Sequence, residues 1–258
     1  MSALLFTKEE GIARITFNRP EVYNSFNQEM ALSVQRALDD CEGDPAVRVI
    51  ALSGMGKAFC AGQDLQEAIA DNGLELPDIV ANHFNPIIER LANIEKPIVA
   101  VVNGVAAGAG ANIALACDIC VATESASFIQ AFSKIGLIPD SGGTFYLPRL
   151  VGRQRAMALM MLGDKVSAPE AVSMGMIYRA IPDEQFAEQV EKLLQKLAQM
   201  PTKGLGYTKR AVNQSFTNDL TKQLGIEEHL QSAAGQTQDY QEGVQAFLEK
   251  RKPTFKGE

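Results

Sequence analysis

Histidine and cysteine, the usual ligands of transition metals, are scarce in this sequence. Its 258 residues include only two histidines, His83 and His229, and four cysteines. Cys117 and Cys120 have the CxxC spacing of zinc and redox sites, but a zinc site needs a second pair of ligands, and neither histidine is close in sequence. Apolar residues flank both thiols, so we expect them to be buried and inert, and we expect no metal site.

Positive charge is also in short supply. The chain has 24 lysines and arginines against 31 aspartates and glutamates, which gives a formal net charge of -7. Proteins that bind nucleic acid usually present a basic face to the phosphate backbone. We therefore expect no nucleic-acid partner, although a local basic patch is compatible with this charge.

Long apolar runs are absent as well. The longest candidate, residues 98–120, is interrupted by Asn103, Asn112, Asp118 and several glycines, so it is unsuited to crossing a bilayer. The N-terminal segment carries charge from Lys8 onward, which is too early for a signal peptide. We expect a cytoplasmic protein with no membrane partner.

The first half of the chain alternates strand and helix patterns. Period-two alternation or short apolar runs predict strands at residues 12–18, 47–52, 98–102 and 118–122. Between them, residues 26–41 have helical spacing after a capping-box pattern that begins at Ser25, and Gly43 ends that helix. Residues 64–94 are mostly helical in pattern, and a small-residue helix begins near Gly110. Strands separated by helices indicate repeated ββα or βα units with buried sheets.

The second half is helical in pattern. A capping box at Ser167 predicts a short helix, and residues 184–200 form a strongly amphipathic stretch that Pro201 ends. Three more helical stretches follow at residues 203–215, 218–232 and 239–250. We place a boundary near residue 200, between an α/β core at residues 1–200 and a C-terminal helical region at residues 201–258. That region either serves assembly or simply closes the core.

Three glycine-bearing segments stand out, at residues 59–64, 102–110 and 136–144. Small residues let the backbone approach a ligand closely, and N–H groups at such turns can stabilise a developing oxyanion. The third segment places Asp140 between an apolar run and a glycine pair. One carboxyl and two loops with N–H groups are the equipment for moving a proton next to a carbonyl. The alternative is that Asp140 is a turn residue or a helix N-cap, since aspartate is favoured at both.

Several motifs, in order along nearly the whole chain, resemble those of the enoyl-CoA hydratase/isomerase (crotonase) superfamily. The matching segments are Asn18-Arg19-Pro20, residues 58–65, residues 96–104, Cys117-Asp118 and residues 136–144. The AGxDL loop and the PxxGGT segment are together the most specific of these.

The resemblance implies an α/β fold, a crotonase-like spiral of ββα units with a C-terminal helical trimerisation region, and therefore a homotrimer or a dimer of trimers. It implies an acyl-CoA substrate and no cofactor, because the coenzyme A is part of the substrate. By position, the N–H groups of Gln63 and Ala109 would form the oxyanion hole, and Asp64 would fix the first loop. The other loop residues that would contact the substrate are Ala61, Gly62, Asp64, Gly108 and Gly110.

Two departures from the family pattern bear on the reaction. Hydratases of the family carry two glutamates, and Asn112 and Phe132 stand at those positions here. Neither side chain can hold or deliver a proton near neutral pH, and adding water to a double bond needs a general base. Hydration therefore looks disabled. Asp140 stands where the dienoyl-CoA isomerase branch also has an aspartate, so we expect it to be the catalytic acid–base, with a basicity that burial would raise.

Residues 102–111, 131–140 and 239–248 are similar to the isomerases that act on a ring epoxide of phenylacetyl-CoA. This resemblance implies conversion of the epoxide to an oxepin, with linear enoyl-CoA shifts as a second activity. Phe84, Phe128 and Phe132 could pack on a ring in the acyl pocket, or they could be plain core. Lys57 and Lys250 are candidates for the coenzyme A phosphates, or they are simply solvated.

Two other classes compete. Gly108 and Gly110 could begin a dinucleotide-binding fingerprint, but Ile113 stands where that motif needs glycine or alanine. A non-catalytic acyl-CoA-binding or RNA-binding relative would explain the two missing glutamates, since fold does not fix function. Retention of Asp140 in its glycine frame argues against the first of these relatives, and the negative net charge argues against the second.

Overall fold

A computed structural model of the chain describes residues 2–69 and 74–258. The larger of its two sheets has six strands, which are Leu4–Glu9 (β1), Ile12–Phe17 (β2), Val49–Gly54 (β3), Ile98–Val102 (β5), Ile119–Thr123 (β7) and Arg179–Ile181 (β10). They lie in the order β1-β2-β3-β5-β7-β10. β1 pairs with β2 in antiparallel fashion, and the remaining neighbours are parallel.

The smaller sheet has four short strands, which are Ala58–Cys60 (β4), Val105–Ala107 (β6), Ser127–Ile129 (β8) and Lys165–Ser167 (β9). β4, β6 and β8 are parallel, and β9 is antiparallel to β8. In three successive passes the chain places one strand in the larger sheet and the next in the smaller one, as β3/β4, β5/β6 and β7/β8, and then continues into helices. The expected ββα spiral and the α/β fold class are confirmed.

The helices of the first part of the chain are Gln28–Gly43 (α1), Leu65–Ala68 (α2), Leu76–Ile79 (α3), Asn85–Asn93 (α4), Ala109–Ala116 (α5), Gly143–Val151 (α6), Arg153–Leu162 (α7) and Ala168–Ser173 (α8). A π-helical turn at Val80–Phe84 joins α3 to α4. The helical pattern at 64–94 is thus several short helices, and residues 70–73 of it lie outside the described residues.

The predicted helices of the second part are confirmed as Phe186–Ala198 (α9), Thr202–Ser215 (α10), Leu220–Gly235 (α11) and Gln238–Glu249 (α12). Among the helices in residues 2–69 and 74–258, none combines the length and apolar character needed to cross a bilayer.

The start of α1 differs from the sequence prediction. The N-cap is Asn27, whose side chain accepts the Met30 N–H at 3.0 Å, and the capping box predicted at Ser25 is wrong. The reason is a tertiary contact, because the Phe26 N–H donates to the Gly62 carbonyl at 2.7 Å. This pairing keeps residues 25–26 extended along the first glycine loop and delays the helix by two residues.

The apolar runs of the central strands are explained by burial of both sheet faces. On β5, Ile98, Ala100 and Val102 point into one hydrophobic cluster, and Val99 and Val101 point into another. The first cluster extends to the smaller sheet and to α1, α4 and α5, whereas the second lies under α9. Parallel strands covered on both faces read as continuous rather than alternating hydrophobic sequence.

The C-terminal helices start directly after Pro201, and α10 is fastened to the core. Its Asn213 side chain donates to the Ala92 carbonyl at 2.9 Å, and its Lys209 pairs with Asp118 at 3.0 Å. α11 and α12 instead leave large apolar side chains exposed. The assembly role assigned to residues 201–258 remains a prediction.

The two CxxC thiols are free. Burial raises the pKa of both Cys117 and Cys120, so neither is a reactive thiolate near neutral pH. Cys120 is buried as expected, whereas Cys117 is only half-buried.

A glycine contact in the core provides a stability test. A Cβ at Gly110, near the start of α5, would lie 2.6 Å from Cys60 Cβ and 2.7 Å from Cys60 Sγ on β4. We expect Gly110→Ala to lower the free energy of unfolding by about 1–3 kcal/mol, because the helix would have to move away from the strand. Equilibrium unfolding in urea measures the change.

The matched control is Gly225→Ala, at a glycine of α11 with no neighbour within 4 Å. It should stabilise the protein by about 0.5–1 kcal/mol, because alanine loses less backbone entropy than glycine in a helix. Equal stability of Gly110→Ala and wild type would contradict the close packing of α5 on β4.

Candidate functional site

The first two glycine loops lie against each other. Gly62 follows β4 with φ 97°, and a Cβ there would lie 3.1 Å from the Ala107 carbonyl oxygen and 3.4 Å from the Ala109 nitrogen. Gly108 has φ 52° and ψ -128°, a conformation that is essentially restricted to glycine. Side chains at Gly62 or Gly108 would therefore separate the two loops or distort them.

Two N–H groups at this contact have no acceptor within the described residues. The Phe26–Gln63 bridge is parallel, with Phe26 N–H bonded to Gly62 O and Asp64 N–H bonded to Phe26 O, so the Gln63 N–H points to the opposite side of its strand. Ala109 is the first residue of α5, where N–H groups have no partner within the helix.

Asp64 holds the first loop in place. One of its carboxylate oxygens pairs with Arg19 at 2.9 Å, and the other accepts the Gln66 N–H at 3.1 Å, which caps α2. Arg19 also donates to the Ser25 carbonyl at 2.7 Å. These bonds agree with the expected loop-fixing role, whereas contact between Asp64 and a substrate remains a prediction.

The Asp140 carboxyl is half-buried. Burial raises its pKa, and a hydrogen bond from Ser141 Oγ to Asp140 Oδ1 at 2.8 Å offsets part of the rise. A carboxyl that is harder to ionise is also a stronger base once it is ionised. The environment that the sequence could not predict for this residue is thus the one that proton transfer needs.

A tight turn presents Asp140. The Asp140 carbonyl accepts the Gly143 N–H at 2.8 Å, and Ser141 and Gly142 between them have φ values of 50° and 72°. Positive φ is unusual for serine, and such strain is held only where the surroundings fix the backbone. Gly142 is also the N-cap of α6, so Asp140 itself does not cap that helix.

Asn112, interpreted from the sequence only as a missing glutamate, contacts this turn. It is fully buried in α5, and its Nδ2 donates to the Asp140 carbonyl at 2.8 Å. Its Oδ1 accepts a hydrogen bond from Gln130 Nε2 at 2.8 Å. Sequence reasoning missed both contacts. The available signal was an amide inside an otherwise apolar helix, because such a group must find a partner.

The glycine pair after Ser141 has two separate causes. Gly142 supplies the positive φ of the turn. Gly143 makes room for Asn112, since a Cβ at Gly143 would lie 2.7 Å from Asn112 Cγ. The third glycine segment is therefore shaped by the turn and by the amide of α5.

Comparison with known proteins identifies the family. The family model for enoyl-CoA hydratase/isomerase matches residues 7–258. The chain belongs to the enoyl-CoA hydratase/isomerase family. The 1,2-epoxyphenylacetyl-CoA isomerase of Escherichia coli (strain K12) is 47% identical over 260 aligned residues, covering 100% of this chain and 99% of that relative.

Two further proteins support the assignment. A probable enoyl-CoA hydratase of Rhodobacter capsulatus is 44% identical and covers 96% of this chain and 95% of its own. The crystal structure of an enoyl-CoA hydratase from Bacillus anthracis has a TM-score of 0.92 at 32% identity, covering 99% of this chain and 100% of that one.

The three phenylalanines proposed for the acyl pocket occupy different surroundings. Phe84 and Phe128 belong to the hydrophobic core, with 1% and 0% of their surface exposed, and Phe84 packs on Phe26 at 5.6 Å between ring centroids. Phe84 and Phe128 are therefore core residues, which is one of the two alternatives that the sequence left open. Phe132 lies at the site, because its ring atoms are 3.9–4.0 Å from a Cβ position at Gly108.

The two lysines proposed for the coenzyme A phosphates lie on the surface. Lys57 is in the exposed turn between β3 and β4, and its main chain packs against Gly104. Lys250 follows α12 with φ 55° and is also exposed. Exposure suits a phosphate contact as well as simple solvation, so both assignments remain predictions.

The raised pKa of Asp140 predicts a pH-dependent stability difference. The protonated carboxyl contributes stability in full below its ordinary pKa of 3.8, and this contribution is lost as the pH rises through the raised pKa. Asp140→Asn stays neutral and should therefore be more stable than wild type at pH 7, with the difference shrinking toward about pH 4. Urea unfolding at fixed protein concentration measures it.

Asp183→Asn is the control with opposite sign. Hydrogen bonds from Ser125 and Thr123 lower the pKa of Asp183, so its charged form stabilises the fold at neutral pH. This contribution is present above pH 3.8 and is lost only as the pH falls through the lowered pKa. An Asp140→Asn protein that is less stable than wild type at pH 7 would contradict the burial of the Asp140 carboxyl.

Proposed function

We propose that this protein is an acyl-CoA isomerase that moves a proton through Asp140 and a thioester enolate. The observations that carry the proposal are a half-buried carboxyl with a raised pKa and, within the described residues, two N–H groups without an acceptor on adjoining loops. Asn112 gives the spatial link, because it lies three residues after Ala109 on α5, a rise of about 4.5 Å, and it holds the Asp140 carbonyl. The oxyanion donor Ala109 thus lies on the helix that also contacts the main chain of the acid, Asp140.

The proposed chemistry has two proton transfers. Asp140 takes a proton from the carbon next to the thioester, and the enolate oxygen lies between the N–H groups of Gln63 and Ala109. The enolate then rearranges the acyl group, and protonated Asp140 returns its proton at another position. For a linear 3-enoyl-CoA this moves the double bond toward the thioester. Each oxyanion donor of this kind typically contributes about 100–1000-fold in rate. No cofactor takes part.

A ring epoxide of phenylacetyl-CoA is the proposed substrate. The 47% identity to the Escherichia coli epoxide isomerase supports it, as does Phe132 beside Gly108, where an aromatic face can pack on a ring. General enoyl-CoA isomerisation is the second candidate, since the same carboxyl and N–H groups serve both reactions. Hydration is disfavoured because Asn112 and Phe132 provide no base for water.

A non-catalytic acyl-CoA-binding relative would not need the half-buried Asp140 on its strained turn. The desolvation of that carboxyl lowers stability, and groups with such shifted pKa values cluster at functional sites. We propose that the coenzyme A phosphates contact Lys57 and Lys250, whose exposed ammonium groups could neutralise them on an otherwise acidic protein.

The substrate assignment is tested by assaying the purified protein against ring-1,2-epoxyphenylacetyl-CoA, a linear 3-enoyl-CoA and crotonyl-CoA. We expect turnover of the first two and little hydration of the third. Asp140→Asn should lower both isomerisation rates by about 100–10,000-fold, with unchanged affinity for phenylacetyl-CoA by calorimetry. Turnover of the linear substrate alone would favour the general isomerase, and efficient hydration of crotonyl-CoA would contradict the proposal.

We also propose a homotrimer or a dimer of trimers, assembled through α11 and α12. Leu220, Phe247 and Leu248 on these helices are 73%, 83% and 69% exposed, and burying large apolar side chains against a partner would remove them from water. Wild type should sediment as a trimer or hexamer. Phe247→Glu should shift it toward smaller species, whereas Gln241→Glu, a change at an exposed polar position on α12, should not. A stable, active wild-type monomer would contradict the assembly.

A further inference from the structure

Two buried amides form a chain that ends on the main chain of Asp140. Gln130 Nε2 donates to Asn112 Oδ1, and Asn112 Nδ2 donates to the Asp140 carbonyl, each at 2.8 Å. Asn112 and Gln130 are 0% and 2% exposed. Neither residue is ionisable, and neither has a role in the proton transfers described above.

The donor and acceptor roles in these two hydrogen bonds are fixed. The Asp140 carbonyl can only accept, so Asn112 must turn its NH₂ group toward it and its oxygen toward Gln130. Gln130 must then donate from its own NH₂ group to the Asn112 oxygen. The consequence is visible at the other end of Gln130, where Oε1 is buried and has no partner within the described residues. An unpaired buried oxygen destabilises a fold, so this arrangement is maintained against a cost.

The bond from Asn112 bears on a strained turn. The Asp140 carbonyl accepts hydrogen bonds from both the Asn112 side chain and the Gly143 N–H. Ser141, which lies between Asp140 and Gly143, has φ 50°. Without Asn112 the turn would retain only the Gly143 bond to oppose the strain at Ser141. A looser turn would let the Asp140 carboxyl move away from the oxyanion hole and toward water.

We propose that Asn112, oriented by Gln130, is a positioning residue that fixes the Asp140 turn relative to the oxyanion donor Ala109. The inference rests on the proposed function, because it assigns Asp140 the proton transfer. Asn112 and Ala109 lie three residues apart on α5 and share a face of that helix. The position that holds a glutamate in the hydratases thus holds a positioning residue here.

The experiment measures isomerisation of 3-hexenoyl-CoA as a function of pH, together with urea unfolding. The variants are Asn112→Leu, Gln130→Met and the double variant, all close in volume to wild type. Asn213→Leu is the matched control, since it also removes a side-chain bond to a main-chain carbonyl, that of Ala92, but on α10. Asp140→Asn reports separately on the proposed function.

We expect Asn112→Leu to lower kcat by about 100-fold, as a displacement of roughly 1 Å in a catalytic group does, and to leave KM nearly unchanged. The acidic limb of its pH profile should move to lower pH, because a more hydrated Asp140 loses part of its raised pKa. Gln130→Met should have a smaller effect in the same direction. The double variant should be no slower than Asn112→Leu, because Gln130 acts through Asn112.

Several outcomes would overturn the inference. Unchanged kcat and an unmoved acidic limb in Asn112→Leu, with a stability loss like that of Asn213→Leu, would make Asn112 purely structural. A change in KM alone would make it a binding residue. If Asn112→Leu fails to fold, Gln130→Met tests the proposal instead. A wild-type kcat and pH profile in Gln130→Met would then refute the positioning role of Asn112. Full activity of Asp140→Asn would instead refute the proposed function.

Discussion

The close approach of α5 to the first glycine loop is the constraint on which the site depends. Gly110 allows α5 to pack closely on Cys60 of β4, and Gly62 lies so close to the start of α5 that a Cβ there would be 3.4 Å from the Ala109 nitrogen. This contact brings together the two loops that carry the N–H groups of Gln63 and Ala109. One turn further along α5, Asn112 fixes the segment that carries Asp140. The site is thus assembled around a single helix whose small residues are required by backbone contacts.

The site is held at some cost to stability. The Asp140 carboxyl is partly withdrawn from water, Ser141 has a positive φ, and Gln130 Oε1 is buried without a partner within the described residues. Each of these features alone would be unfavourable in a core selected only for stability. The proposed acid–base chemistry explains why they meet around one carboxyl, because groups with shifted pKa values cluster at functional sites.

The sequence predicted those features that depend on local patterns. Four strands (β2, β3, β5 and β7), the helices after Pro201 and the glycine loops follow from apolar periodicity and small residues, and the structure places them close to the predicted positions. β1, β10 and the short strands of the smaller sheet were not predicted. The predicted start of α1 was wrong because Phe26 pairs with Gly62, and no local sequence pattern reveals that contact. The roles of Asn112 and Gln130 were missed for the same reason, since 18 residues separate the two amides in sequence. All three candidate phenylalanines are buried, and only the contact of the Phe132 ring with Gly108 separates it from Phe84 and Phe128.

The central claim is that Asp140 removes a proton from the carbon next to the thioester. The most direct measurement is mass spectrometry of phenylacetyl-CoA after incubation with the protein in deuterated water. Wild type should introduce deuterium at that carbon, and Asp140→Asn should bind the thioester but leave its α-protons in place. Absence of exchange with wild type, or equal exchange with both proteins, would contradict the account.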